Sequence, residues 1–452
     1  MNIANHRVDK IKKWLEWFFF IYILLQPLLD VVAYFGTSLS LLFRVLAMGI
    51  GLVYLFIYPN SKSKWGAIVY LFVVGVFLII NAANNFFIKE PFFLIKEFTY
   101  SVKILYVLEM IFIYIALFYS VKSRLNWENI LRKSIFINLT VISIVMLLAT
   151  ITNTENLSYE GNAAKAGHSG WFYSANDLSA IVALGFGFLL VYLTGLKDKK
   201  LKRILMPITI LNMWTMLAIG TKVGMMSQVA LLLLSMVIYF IRSIMKKEGW
   251  FNFIMTTILL GISLVMIPAS AVGNNLDMTY NDIIEKFTPK VETPSTEIKQ
   301  KRPRSDYPIE YRVFSGRDDF FRVHLEMYKE APVSQKLLGM GPSGNYKDTF
   351  KIIEMDFFDW FFGYGIIGFT LFMLPLIYFA YQVIRRIFQY KFKMVTPQFL
   401  IIGATVALGL GIAAMAGHIL MNPASGIYFS IAVAYLVMLS MKDRETKKFD
   451  LM

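Results

Sequence analysis

The sequence predicts an all-α polytopic membrane protein with about twelve transmembrane helices and one large extracytoplasmic loop that carries an amphipathic helix. Three observations predict it. Hydrophobic residues make up 57% of the 452 and charged residues only 17%, a balance that soluble chains of this length do not show. Apolar runs of about 17 to 25 residues recur along the chain, each enough to cross roughly 30 Å of hydrocarbon as helix. Lys and Arg gather in alternate connections between those runs, as they do when one side of a membrane retains them.

The runs fall at residues 14–35, 39–58, 65–87, 98–120, 134–152, 176–195, 203–219, 223–241, 252–271, 357–384, 399–416 and 422–441. Around the third and fourth, Asn81 to Lys96 also reads as a re-entrant or interfacial piece, and the seventh and eighth nearly touch at Gly220. The N-terminal charge is followed by a hydrophobic run too long for a signal-peptide core, with no small-residue cleavage pattern after it, so it stays as the first span. The chain thus divides into a first helical block at 1–271, a loop at 272–356, and a second block with a tail at 357–452.

Basic residues set the orientation. With the N-terminus inside, clusters such as Lys10, Lys12 and Lys13, then Arg132 and Lys133, then Lys199, Lys200, Lys202 and Arg203, then Arg385 and Arg386, all fall on the cytoplasmic side. Both termini are expected there and the long loop outside, in a multi-pass protein of the cytoplasmic (inner) membrane. This inside bias explains most of the +15 net charge, and no basic stripe interleaves with exposed aromatics, so nucleic acid is not an expected partner. Zero Cys removes disulfide and thiolate chemistry. No repeat of the kind many transporters show is visible.

The loop has two parts. Residues 274–311 are polar and broken by Pro289, Pro294, Pro303 and Pro308, a composition that buries no core. From Val313 order is expected: Ser315 is placed to cap a helix, Asp318 and Asp319 suit its first turn, and Phe320, Phe321, His324, Leu325 and Tyr328 recur at helical spacing until Pro332. The stripe predicts a helix of about four turns lying on the outer membrane face. A tight turn follows at Gly339-Met340-Gly341-Pro342.

Charged residues at membrane depth are costly, on the order of 2.5 to 3.5 kcal/mol at a helix centre, and so are candidates for function. Asp30 and Arg44 stand in the outer parts of the first two spans, where a hairpin brings them together either as a structural pair or as part of a site. Lys103 and Glu109 in the fourth span read first as structural, with Lys103 able to snorkel outward. Lys222, in Gly220-Thr221-Lys222-Val223-Gly224, opens the eighth span where a helix N-terminus and small residues favour an anion. Arg317 offers a planar fork to phosphate oxygens, against the plainer reading of a surface arginine paired with a carboxylate. Glu354, Asp356 and Asp359 cluster where the chain re-enters the membrane, an arrangement that suits a general base as well as a solvated helix start. Their spacing forms no standard metal-ligand motif, His168, His324 and His418 are scattered, and no P-loop, GxSxG or dinucleotide fingerprint occurs. No metal and no cofactor is therefore expected.

Order and topology of several short motifs resemble the O-antigen ligase and O-antigen polymerase superfamily, bacterial membrane glycosyltransferases that use undecaprenyl-diphosphate-linked glycans. The motifs are Gly170-Trp171-Phe172-Tyr173-Ser174-Ala175-Asn176, Ser315-Gly316-Arg317, Leu338-Gly339-Met340-Gly341 and Gly363-Tyr364-Gly365-Ile366-Ile367-Gly368. Where the family usually has an Arg opening the eighth span, Lys222 stands here. Where it commonly has a His-Asn pair eleven residues before the Gly-Ile-Ile-Gly turn, Glu354 stands eleven before Gly365.

The resemblance implies inverting glycosyl transfer at the outer face. Arg317 and Lys222, with Arg44, hold the diphosphate; Glu354, or failing it Asp356, deprotonates the acceptor hydroxyl; Asp359, Asn176 and Lys103 give support. The implied partners are an undecaprenyl-diphosphate-linked glycan donor, a glycan acceptor, the lipid bilayer and other polysaccharide-assembly proteins. A polymerase joining repeat units into a surface polysaccharide is the leading expectation. The alternatives are a ligase moving a finished glycan onto a lipid, wall polymer or protein, and a flippase for the lipid-linked glycan.

Overall fold

The computed structural model describes residues 3–58, 61–159, 165–276, 317–342 and 352–441. These form helices α1 (Ile3–Tyr34), α2 (Leu39–Ile57), α3 (Ser61–Ile88), α4 (Leu94–Val121), α5 (Trp127–Thr152), α6 (Ala175–Gly195), α7 (Lys199–Ala218), α8 (Lys222–Lys246), α9 (Trp250–Met266), α10 (Arg317–Glu330), α11 (Val333–Leu338), α12 (Asp356–Gln389), α13 (Pro397–Met415) and α14 (Pro423–Leu439). No strand occurs among the described residues, and the protein is an all-α polytopic membrane protein.

Each apolar run of the sequence falls on a helix. Nine of these helices, among the described residues, are long and apolar enough to cross a membrane, while α9 and α14 are apolar but shorter. The remaining run lies on α7, where Lys202 and Arg203 dilute the apolar content of a helix that also contains Pro207. Between the third and fourth runs, α3 continues to Ile88 as helix.

The bundle has a clear centre. In α4 and α6 the apolar windows are 83% and 89% buried, against 28% in α2 and in α12. α14 packs along α4 and against α6, so these three helices form the core and the others surround it. Small residues permit the close approach: a Cβ on Gly187 of α6 would collide with Thr405 of α13, and one on Gly426 of α14 with Val107 of α4. Side chains such as Phe72, Ile79 and Val265 face outward from the bundle at 71%, 70% and 78% exposure, as a lipid-facing surface requires.

Beside the main core sits a second, smaller one. Met340, Ile353, Met355 and Phe362 are buried together, with Phe320, Phe321, Leu325 and Tyr328 of α10 packed onto them. The expected amphipathic helix is present as α10, but its apolar stripe packs on protein rather than on lipid. Phe321 lies 4.9 Å from Phe358 and Tyr328 5.2 Å from Phe361, so the head of α12 takes up that face. Ser315 and Gly316, and the Pro-rich stretch before them, lie outside the described residues.

The Gly339-Met340-Gly341 turn is stitched to a break in α12. The N–H groups of Met340 and Gly341 donate to the carbonyls of Phe362 and Gly363 at 2.9 and 2.8 Å. Gly365 leaves the helical conformation there with φ +64°, and Gly339 stands at φ +99°. A Cβ on Gly339 would run into the backbone of Tyr364 and Gly363, so only glycine fits. From α3, Asn81 donates to Leu338 and Gly363 carbonyls at 2.6 and 3.2 Å, and Asn85 to that of Gly339 at 3.1 Å. Lys89 adds a buried pair with Glu97 at 2.6 Å and a bond to the Pro342 carbonyl at 3.2 Å. Residues 338–342 are thereby fixed against α3 and α4.

Candidate functional site

At the end of the bundle where α6 and α12 begin, four charged side chains from four separate segments meet. Arg317 opens α10, and its Nη2 lies 3.2 Å from Glu354 Oε2. The same Glu354 oxygen is 3.8 Å from Nε2 of His418, in the link between α13 and α14, and His418 Nδ1 is 2.7 Å from Asp177 Oδ1 in the first turn of α6. All four side chains are partly shielded: 13% exposed at Arg317, 16% at Glu354, 19% at His418 and 24% at Asp177. Such pairs act in a lower dielectric than surface charges and are correspondingly stronger.

Local chemistry fixes each member. Asp177 is set by Ser174, the N-cap of α6, whose Oγ accepts from the Asp177 N–H at 3.2 Å. A carboxylate in a first helical turn is favoured by the partial positive charge of the helix N-terminus. The loop before it is held by Asn156, whose Nδ2 donates to the carbonyls of Phe172 and Tyr173, and by Trp171 Nε1, which donates to Thr154 Oγ1 at 2.8 Å. This is the role of the Gly170 to Asn176 motif: it aims the start of α6.

His418 is positioned by a carboxylate beneath it. Asp356 accepts three backbone N–H groups, from His418 at 3.0 Å, Ile419 at 2.9 Å and Leu420 at 2.6 Å. Successive N–H groups curled around an anion make a nest, and here the anion is the protein's own side chain. Gly417 and His418 both have positive φ, at +67° and +68°, and a Cβ on Gly417 would strike the Glu354 carbonyl. Glu354 itself sits at φ +61°, an uncommon conformation for a glutamate. The two segments that carry Glu354 and His418 are therefore in backbone contact.

Burial alone would lower the His418 pKa, but the neighbouring Asp177 and Glu354 carboxylates outweigh it and raise it from 6.5 to about 10. At neutral pH His418 is an imidazolium between two carboxylates.

The three carboxylates of the re-entry segment separate by role. Asp356 is 1% exposed and occupied by the His418 nest, while Asp359 accepts from the N–H groups of Ile353 and Met355 at 2.9 and 3.2 Å. Glu354 reaches the charged cluster. Asp30 and Arg44 do meet, at 2.5 Å, and Arg44 also feels the phenolic oxygens of Tyr22 and Tyr106. Lys103 lies over the Tyr100 ring at 5.4 Å and within the electrostatic reach of Asp177 and Arg44. The parts of α1, α2 and α4 that carry Asp30, Arg44 and Lys103 thus border the same cluster.

Lys222 is exposed at the first position of α8. Its neighbour Thr221 caps that helix and meets Ser179 Oγ of α6 at 2.5 Å, so the start of α8 is tied to the helix end that carries Asp177. Asn176 precedes Asp177 in that turn.

Sequence reasoning missed His418 and Asp177. Asp177 carried a signal, because Ser174 and Asp177 have capping-box spacing, but that pattern points to a helix start rather than a site. His418 carried none. The other internal histidines have local duties: His168 Nε2 is 3.3 Å from Thr150 Oγ1, and His324 Nδ1 is 2.6 Å from the Phe320 carbonyl. No group of three or more His, Asp or Glu placed to hold a metal ion occurs among the described residues.

The family model described as O-antigen ligase like membrane protein matches residues 12–443. No curated protein matches the chain.

Proposed function

Because the chain belongs to the O-antigen ligase like membrane protein family, we propose that it joins undecaprenyl-diphosphate-linked oligosaccharide repeat units into a surface polysaccharide at the extracytoplasmic face of the cytoplasmic membrane. Membership makes it a membrane glycosyltransferase-type enzyme acting on a lipid-linked glycan. The observation that carries the finer reading is Arg317 at 3.2 Å from Glu354, at the mouth of an apolar bundle. A cation for the diphosphate and a carboxylate for the acceptor stand side by side where a lipid-borne substrate meets water.

In this reading the acceptor hydroxyl attacks the anomeric carbon from the face opposite the diphosphate. The new C–O bond forms as the bond to the diphosphate oxygen breaks, and its electron pair leaves with the diphosphate. Arg317 stabilises that charge, with Lys222 on the adjoining helix end, an electrostatic contribution typically worth 10²–10³-fold per donor. Glu354 takes the hydroxyl proton, and the configuration inverts. Asp356, whose oxygens are occupied, shapes the site by holding residues 418–420. Lys103 adds positive charge to the same mouth, and Arg44 is there held by Asp30.

The test is to express Arg317→Ala, Lys222→Ala and Glu354→Gln in the native host and to size both the surface polysaccharide and the lipid-linked intermediates. Short or absent polymer with single lipid-linked units accumulating on the outer leaflet is expected. Normal chain lengths in all three variants would sink the assignment. Full-length lipid-linked polymer accumulating without transfer would instead mark a ligase, and inner-leaflet accumulation a flippase.

A further inference from the structure

We propose that His418 is a positioning residue of this site, an imidazolium clamped by Asp177 that holds Glu354 in place to receive the acceptor proton. The proposal rests on the glycosyl-transfer reading above and adds two residues to it. Its basis is geometric. His418 Nδ1 is taken up by Asp177 at 2.7 Å, and the ring's other nitrogen, Nε2, is buried, makes no hydrogen bond among the described residues, and faces Glu354 Oε2 at 3.8 Å. Arg317 approaches that same Glu354 oxygen at 3.2 Å, so the carboxylate sits between two cations from two different elements.

The backbone around His418 is over-determined for this purpose. Asp356 grips the three N–H groups from His418 to Leu420, and Ser425 Oγ donates to the His418 carbonyl. His418 itself sits at φ +68°, in the left-handed region that Asn, Asp and His enter more readily than other non-glycine residues. The position eleven residues before Gly365 holds a carboxylate, and the fold delivers an imidazole to that carboxylate from the α13–α14 link.

The charged groups around the ring are Asp177 from α6, Glu354 before α12, Asp356 from α12 beneath the backbone, and Arg317 of α10 beyond Glu354. The carboxylates favour the protonated ring and hold its pKa at about 10. Removing Asp177 takes away one of its two ring partners, so the imidazolium gives up its proton at lower pH.

The experiment uses the purified full chain in liposomes, with lipid-diphosphate-linked oligosaccharide extracted from the native host as donor, and reads glycan transfer across pH 6 to 10 (roughly the window between the free and the site-held imidazole). Asp177→Asn is expected to shift the alkaline limb of the activity profile to lower pH. His418→Asn, which tolerates the left-handed backbone, is expected to lose on the order of a hundredfold in rate through misplacement of Glu354, while His418→Arg restores part of it by returning a cation. An unmoved alkaline limb in Asp177→Asn, with His418→Asn as active as wild type, overturns the proposal. His418→Arg as inactive as His418→Asn, with both folded by size-exclusion elution, also overturns it. Arg317→Ala separates the two readings: inactive Arg317→Ala beside active His418→Asn leaves glycosyl transfer standing and removes only the role of His418, whereas active Arg317→Ala removes the parent reading.

Discussion

His418 Nδ1 lies 2.7 Å from the Asp177 carboxylate, which ties the link between α13 and α14 to the first turn of α6. Neither residue is near the other in sequence, and the pair completes a chain of charge that runs through Glu354 to Arg317.

The pH dependence of folding follows from that chain. A group whose folded pKa is raised stabilises the fold fully below its unfolded value and loses that contribution as pH climbs through its folded value. For His418 the window runs from 6.5 to about 10. The thermal unfolding midpoint of the wild type in detergent should therefore fall from pH 7 to pH 10 more steeply than that of His418→Asn. Parallel curves for the two proteins would contradict the ion-pair account.

Asp356 is expected to matter through the backbone. Asp356→Asn keeps one acceptor oxygen but removes the charge and turns the other acceptor into a donor facing N–H groups. Hydrogen bonds to charged groups are worth about 1.5–3 kcal/mol each, so the midpoint should drop by several degrees. Faster hydrogen exchange at residues 418–420 would show where the loss falls; unchanged exchange there would remove the anchoring role.

Asp30 and Arg44 are largely shielded, at 14% and 15% exposure, and each single removal strands the other. Arg44→Ala or Asp30→Ala should cost about 3–5 kcal/mol, whereas the double substitution recovers much of it. A double variant that is the simple sum of the singles would mean the pair carries no coupling.

Gly339→Ala tests the seam between the α11 turn and the break in α12. Its Cβ would meet backbone atoms of Tyr364 and Gly363 rather than a movable side chain, and its φ of +99° strains any other residue. Sharply reduced yield of folded protein is expected, while Gly261→Ala, where a Cβ meets open space, serves as the silent control.

The O-antigen ligase like family itself was readable in the chain because its marks are local: apolar runs, basic connections and short glycine motifs. Each sums over a window of one helix, and hydrophobic content is a property each residue carries with it. Arg317 and Glu354 were readable for a related reason, since charge is rare in this composition and stands out at a membrane boundary. What the sequence could not contain is which of three neighbouring carboxylates faces the site. That depends on the N–H nest at residues 418–420 claiming Asp356 and on Ile353 and Met355 claiming Asp359, leaving Glu354 toward the cluster. Nor could it show that His418 belongs with Asp177. Their meeting is decided by how α6, α12 and the α13–α14 link pack at one end of the bundle. A contact between distant residues is a property of that packing and leaves no periodicity behind.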